Sequence, residues 1–200
     1  CGSVALRHRG ASNRWMLGLL GSAVRQDGRS ASLTAPSGSS QAALILAALG
    51  DAGTSATEMA LNEAHGTGTA LGDPIEAGSF VAAVLQSRAK HATALPLGGI
   101  KANVGHAEPA AGMAGLLRLL NGLEGSVAAP NAQLRSLNPH VHSALRGVEC
   151  ALPGQVAHCA TSEARAGGVS SFGYSGTIAH AVAVADAAAI DGPTSTSGES

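Results

Sequence analysis

Apolar positions recur along the chain in two alternating rhythms. Short apolar runs occur at 15–24 (WMLGLLGSAV), 59–64 (MALNEA) and 95–100 (LPLGGI), each with the length of a strand. Between them, 40–49 (SQAALILAAL) and 74–88 (PIEAGSFVAAVLQSR) repeat apolar residues three and four apart, as one face of a helix does. A further helix is predicted over 109–123, and late strands near 147–152, 167–172 and 178–185. Alternation of this kind predicts an α/β layer. Val4, Ala5 and Leu6 also alternate and read as a strand already in progress.

Turn and cap residues punctuate these elements. Asp27 and Gly28 mark a turn, and the helix at 40 has Ser39 or Ser40 as an expected N-cap and Gly50 as its stop. The helix at 74 carries the clearest start signal: Asp73 as N-cap, Pro74 at the first helical position and Glu76 as the capping-box partner. Residues 191–200 (DGPTSTSGES) lack apolar periodicity and have the composition of a linker, so the fold is expected to stop near Ala185.

Composition narrows the function classes. Twelve basic and thirteen acidic residues give a net charge of −1, and only four side chains are Phe, Trp or Tyr. That leaves neither a phosphate-tracking surface nor base-stacking platforms, so nucleic acid is not an expected partner. No apolar run reaches the roughly 18 to 20 residues of a membrane span, and no signal-peptide pattern opens the sequence, so an intracellular protein, cytoplasmic or organellar, is expected. Cys1, Cys150 and Cys159 are odd in number and lack paired spacing, which argues against a disulfide framework. His140, His142, His158 and Cys159 can be drawn as a ligand set, but no short paired spacing anchors the second half, and no metal is expected.

Three segments carry candidate chemistry. HGTGTALG (65–72) is a glycine-rich strand-to-helix loop with two threonines, able to approach a ligand closely and offer it hydroxyls and amides. The phosphate-loop and dinucleotide fingerprints are both absent. In GGIKANVGHAEPAAG (98–112) a strand ends in Lys101 and a glycine turn brings His106 to a helix start. There the helix dipole favours a neutral imidazole able to bind a developing oxyanion, the alternative being a structural cap or a buried ring. In SSFGYSGTIAH (170–180) two strand-like pieces meet at glycines whose amides can face a ligand, the alternative being an ordinary hairpin.

Taken in this order, the segments resemble the C-terminal half of a β-ketoacyl synthase, the condensing domain of type I polyketide and fatty-acid synthases. The stretch GSAVRQDGRSASLTAPSG (21–38), then EAHGTGTALGDPIEAG (63–78), then GGIKANVGHAEPAAGMAGLL (98–117) carry the likeness, which extends over about residues 1–185 and is weakest at 131–166. The resemblance implies a thiolase-like layered α/β sandwich of two similar halves. Residues 1–20 would be the end of the first half, 21–185 the second half, and 186–200 a flexible tail. The implied reaction is decarboxylative Claisen condensation of a malonyl-type carrier thioester with an enzyme-bound acyl group. None of the three cysteines stands in the family's nucleophile motif, so that residue is expected on an upstream half, and the present chain alone is expected to be inactive.

The same resemblance implies roles position by position. His65 and His106 match the two catalytic histidines, and Lys101 matches the motif lysine, expected to pair with Glu76 and to keep His106 neutral. Thr67 and Thr69 match the threonines that hold a pantetheine arm, and the backbone N–H of Tyr174 matches an oxyanion-hole donor and gate. Asp73 and Glu76 are expected as structural support. The family's GFGGTN becomes GYSGTI at 173–178, so Tyr174, Ser175 and Ile178 depart from it, with Ser175 beside the expected acyl pocket. No tightly bound cofactor is implied; substrates would arrive on the phosphopantetheine of an acyl carrier protein, and the full domain is expected to be a homodimer. Two other functions stand beside condensation: a synthase-like domain that only decarboxylates or binds carrier-linked intermediates, and a degradative thiolase relative, which the HGTGT and KANVGH motifs disfavour.

Overall fold

The strand and helix patterns resolve into a six-stranded mixed sheet with helices on both faces, beside a separate two-stranded pair. In a computed structural model of the chain, residues 4–6, 17–28, 35–88, 93–159 and 166–185 are described. The strands are β1 (Leu17–Gln26), β2 (Met59–Glu63), β3 (Leu95–Gly98), β4 (Val127–Ala128), β5 (Cys150–Ala151), β6 (Ala157–His158), β7 (Ala166–Phe172) and β8 (Thr177–Ala185). The helices are α1 (Gly38–Ala52), α2 (Gly72–Ala83), α3 (Lys101–Val104), α4 (Ala111–Gly125) and α5 (Pro139–Ala144). Six strands lie in the order β1-β8-β7-β2-β3-β5. The centre, β7-β2-β3-β5, is parallel, while β8 runs antiparallel to both β7 and β1.

Every residue of β2 and β3 is buried, which is why MALNE and LPLG read as continuous runs: central parallel strands are covered on both faces. Two apolar clusters cover them. One joins Ile45 and Leu49 of α1 with Phe80 of α2, Val84, Met59 and Val182. The other joins Leu119 and Leu123 of α4 with Leu61, Val169 and Ala183. Val182 and Ala183 are neighbours in β8 but belong to different clusters, so α1 and α2 lie on one face of the sheet and α4 on the other.

Several boundaries differ from expectation for local reasons. Helix α1 is capped by Ser37, whose hydroxyl accepts the Ser40 N–H, rather than by Ser39 or Ser40. It runs past Gly50 to Gly53, which takes the left-handed φ of 61°. Asp73 is not the N-cap of α2, which begins at Gly72; the Thr69 hydroxyl accepts the Gly72 N–H at 3.0 Å, and Asp73 reaches back to the Gly68 N–H at 3.1 Å. The helix expected to reach residue 88 ends at Ala83 and continues as a 3-10 turn, Leu85–Ser87.

Strand β1 pairs with β8 from Leu17 onward, so the division expected at residues 20 and 21 falls inside one strand. Val4–Leu6 form no strand, and Leu6 is 74% exposed. The β4–β6 pair and α5 had no counterpart in the apolar pattern; α5 starts where the Asn138 side chain accepts the His140 N–H and Pro139 opens the helix. Cys1, the start of the strand expected at 15 and the tail at 186–200 lie outside the described residues. Among the described residues no helix is long and apolar enough to cross a membrane.

Glycine packing gives a paired stability test. A Cβ at Gly21 would lie 2.4 Å from the Ala52 backbone nitrogen, whereas one at Gly50 meets nothing within 4 Å. Gly21→Ala is expected to lower stability by about 1 to 3 kcal/mol through overpacking. Gly50→Ala is expected to raise it by about 1 kcal/mol through helix propensity. Urea unfolding curves check both signs.

Candidate active site

At the carboxyl end of β2 the chain leaves the sheet and must turn over the start of α2. Glu76, buried on α2, organises this turn: its two carboxylate oxygens accept the N–H groups of His65 at 2.7 Å and Gly66 at 2.9 Å. Gly66 then takes a φ of +48°, open to glycine at little cost. Glu76 therefore does not close a capping box on α2. Burial pushes its pKa up to about 7 despite those two amide bonds.

The second histidine arrives from the neighbouring strand. Strand β3 ends at Gly98, earlier than expected, and Lys101 opens the single turn α3. The ammonium of Lys101 donates to the His65 carbonyl oxygen and lies 3.4 Å from His65 Nδ1. The expected Lys101–Glu76 pair is thus indirect, because both groups bind the backbone of His65, one at its carbonyl and one at its N–H. Among the described residues the ion pair formed is Glu63–Arg118. Gly105, with φ +78°, turns His106 toward His65, and the ring centroids stand 5.9 Å apart, edge to face. A 3-10 turn, Glu108–Ala110, precedes α4, so His106 caps no helix; its Nδ1 accepts the Glu108 N–H at 3.0 Å.

Hydrogen bonds assign the tautomers. His65 Nδ1 accepts the Phe172 N–H at 3.3 Å and His106 Nδ1 accepts from Glu108, so in each ring Nε2 holds the free N–H. Burial first, then Lys101 and His106, lower the His65 pKa to about 4, so this imidazole is neutral near pH 7.

A cavity of about 530 Å³ opens beside this group. It is lined by Gly66, Thr67, Asp73, Glu76, Lys101 and His106 together with apolar side chains including Phe80, Leu97 and Val141. Thr67 and Thr69 hydroxyls lie 3.4 Å apart, but Thr69 is committed as an acceptor to α2 and is not part of the wall. Tyr174 and Ser175 do not line the cavity either: they form the exposed β7–β8 turn, with Tyr174 83% exposed. The Tyr174 N–H has no backbone acceptor among the described residues. Ile178 is fully buried in β8.

Sequence reasoning missed four contributors. Glu63 accepts the Ile100 N–H at 2.5 Å and Arg118 at 2.7 Å; Asn131 accepts the Gly99 N–H at 3.0 Å; Phe172 packs its ring 5.4 Å from that of His65. A glutamate inside an all-buried strand and an arginine amid the apolar α4 were the available signals. Burial holds the thiols of Cys150 and Cys159 above their ordinary pKa, so neither is an activated nucleophile. Among the described residues no three metal-binding side chains are grouped to hold an ion.

Residues 18–135 match the family described as beta-ketoacyl synthase, C-terminal domain. The chain belongs to that family. It is 43% identical over 164 residues to a mycoketide-CoA synthase of Mycobacterium tuberculosis, covering 82% of this chain and 4% of the relative. Against the erythronolide synthase EryA2 of Saccharopolyspora erythraea, identity is 41% over 176 residues, covering 88% of this chain and 5% of that protein. An oxazolomycin ketosynthase domain from Streptomyces albus superposes with a TM-score of 0.76 at 33% identity, over 84% of this chain and 29% of that one. The ketosynthase from module 6 of the Bacillus subtilis bacillaene synthase gives a TM-score of 0.77 at 30% identity, over 84% and 30%. The chain is a thiolase-like α/β ketosynthase C-terminal domain, spanning under a third of these solved ketosynthases.

The charge pattern of this ketosynthase domain fixes a pH response. His65 and His180, the latter buried 3.0 Å from the Ser170 hydroxyl, both have pKa values lowered to about 4 from 6.5. The stability they contribute is complete above about pH 6.5 and is lost as pH falls toward 4. Glu76, raised to about 7, acts oppositely, its contribution being lost as pH rises from 4.5 to 7. Glu76→Gln removes the opposing group, so stability should fall more steeply on acidification from pH 6.5 to 4.5. Urea midpoints across that range check it, and an unchanged slope contradicts a raised Glu76.

Proposed function

We propose that this chain supplies the histidine and lysine side of a polyketide ketosynthase that performs decarboxylative condensation. The observation that carries the reading is the pair of imidazoles 5.9 Å apart, each with Nδ1 occupied as an acceptor and Nε2–H free. A malonyl thioester loses carbon dioxide when its C–C bond to the carboxylate breaks and the electron pair passes to an enolate. Fixed neutral N–H donors aimed at the enolate oxygen stabilise that charge as it forms. The enolate carbon then attacks an acyl thioester on a cysteine, forming the new C–C bond and expelling the cysteine thiolate, which regains a proton.

In this reading the nucleophilic cysteine belongs to the N-terminal half of the ketosynthase, since none of the three cysteines stands in the nucleophile motif and burial raises the thiols of Cys150 and Cys159. Lys101 fixes His65 and disfavours its protonation. Thr67, among the residues lining the cavity, faces the phosphopantetheine arm of an acyl carrier protein, and the N–H of Tyr174, which has no backbone acceptor among the described residues, serves the acyl oxyanion. No tightly bound cofactor takes part.

Two measurements test the proposal. Offered an acyl carrier thioester, the isolated chain should show no acylation by intact mass; a stoichiometric adduct contradicts the assignment of the nucleophile. In the complete ketosynthase, His106→Ala should lower release of labelled carbon dioxide by about 100 to 1,000-fold while acylation of the cysteine continues. Normal decarboxylation with lost acylation would show that His106 serves the nucleophile instead.

A further inference from the structure

Strand β3 ends at Gly98, and only Gly99 and Ile100 separate it from Lys101, so any error in this turn passes directly to the ammonium. Two side chains from distant parts of the chain hold the consecutive amides of that turn. Asn131 Oδ1 accepts the Gly99 N–H at 3.0 Å, and Glu63 Oε1 accepts the Ile100 N–H at 2.5 Å. Glu63 Oε2 accepts from Arg118 at 2.7 Å, and Arg118 donates its other nitrogen to the carbonyls of Ala129 at 2.8 Å and Pro130 at 3.1 Å, the residues preceding Asn131. The bonds close a ring from Glu63 through Arg118, the 129–131 segment and Gly99 back to Ile100.

The ring is buried, with Glu63 at 3% and Asn131 at 7% exposure, and the Arg118 side chain at 10%. A buried ion pair is weak evidence of stability, since apolar groups of the same volume often do as well. Its geometric effect is specific. The Asn131 amide also donates to the Leu97 carbonyl at 3.1 Å, and outside the ring Asn103 Oδ1 accepts the Ala132 N–H at 3.2 Å, so α3 is held from both ends.

We infer that Asn131 and Glu63, the latter held by Arg118, are positioning residues that set Lys101 on His65 through the amides of Gly99 and Ile100. The kinetic consequence rests on the decarboxylative reading; the positional consequence does not, because His65 itself reports it. The titratable groups facing His65 are Lys101 from α3, His106 from the loop after it and Glu76 from α2. With the turn released, Lys101 withdraws and one positive neighbour is lost.

The experiment is a histidine-resolved NMR titration of this chain, paired with carbon dioxide release in the complete ketosynthase. Asn131→Ala should raise the His65 midpoint from about 4 by about one unit. It should also lower kcat for decarboxylation about 100-fold with KM for the malonyl carrier little changed, the signature of misplacement rather than lost binding. A folded Asn131→Ala with an unmoved His65 midpoint overturns the inference. A moved midpoint with normal decarboxylation supports the positional role and overturns its kinetic consequence, whereas a parent ketosynthase that releases no carbon dioxide overturns the decarboxylative reading and leaves the positional role to the His65 midpoint. If Asn131→Ala does not fold, Asn131→Ser decides: its shorter hydroxyl keeps a polar group at the position but does not reach the Gly99 N–H, so the midpoint should shift the same way, and an unmoved midpoint there overturns the inference.

Discussion

The peptide unit of His65 is the point on which the site depends. Its N–H is held by Glu76 from α2 and its carbonyl by Lys101 from α3, while Phe172 of β7 donates to its ring. Three elements from different parts of the chain therefore meet on one residue. Each bond removes a way for the imidazole to turn, and together they leave one ring edge, Nε2–H, for other chemistry. The glycines at 66 and 105 are consequences of this arrangement, since the chain must reverse sharply on both sides of the histidine pair and both adopt positive φ.

Holding a neutral donor this way places charge in the interior. Burial raises Glu63 and Glu76 and lowers Lys101, so these three groups are pushed toward their neutral forms. The opposing influences are mutual: the carboxylates support the ammonium, and Arg118 supports Glu63. The arrangement is stable as a set and costly in parts, because removing one member leaves another charge buried without its partner. His65 differs in that its neighbours reinforce burial, both Lys101 and His106 disfavouring its protonated form.

The periodicity of apolar residues made the sheet and its main helices legible, because central parallel strands and amphipathic helices have different periods. Boundaries were less legible where a side chain has more than one amide within reach. Asp73 fits an N-cap by spacing, yet the glycine loop above α2 offers it the Gly68 N–H, and Thr69 takes the helix start. The histidines and the lysine stood out as polar residues beside glycines. Glu63, Arg118 and Asn131 did not, because their value lies in bonds spanning 32 to 55 residues of sequence. The two-residue strands β4 and β6 are too short to carry a period.

One property of the site points beyond this chain's own side chains. Residues 103–110, His106 among them, are exposed, and Val104 is 66% and Leu117 of α4 46% exposed. An N–H donor stabilises a developing enolate far more where water is excluded, because water both screens the charge and competes for the oxygen. The proposed decarboxylation therefore requires a second surface over this face, and the exposed apolar side chains of Val104 and Leu117 are suited to burial against one. The solved ketosynthases extend well beyond the 29 to 30% of their length that this chain covers, so their family supplies enough additional chain for such a cover. On this view the present chain fixes the direction of its donors by internal bonds, and the strength of those donors is completed by what closes over them.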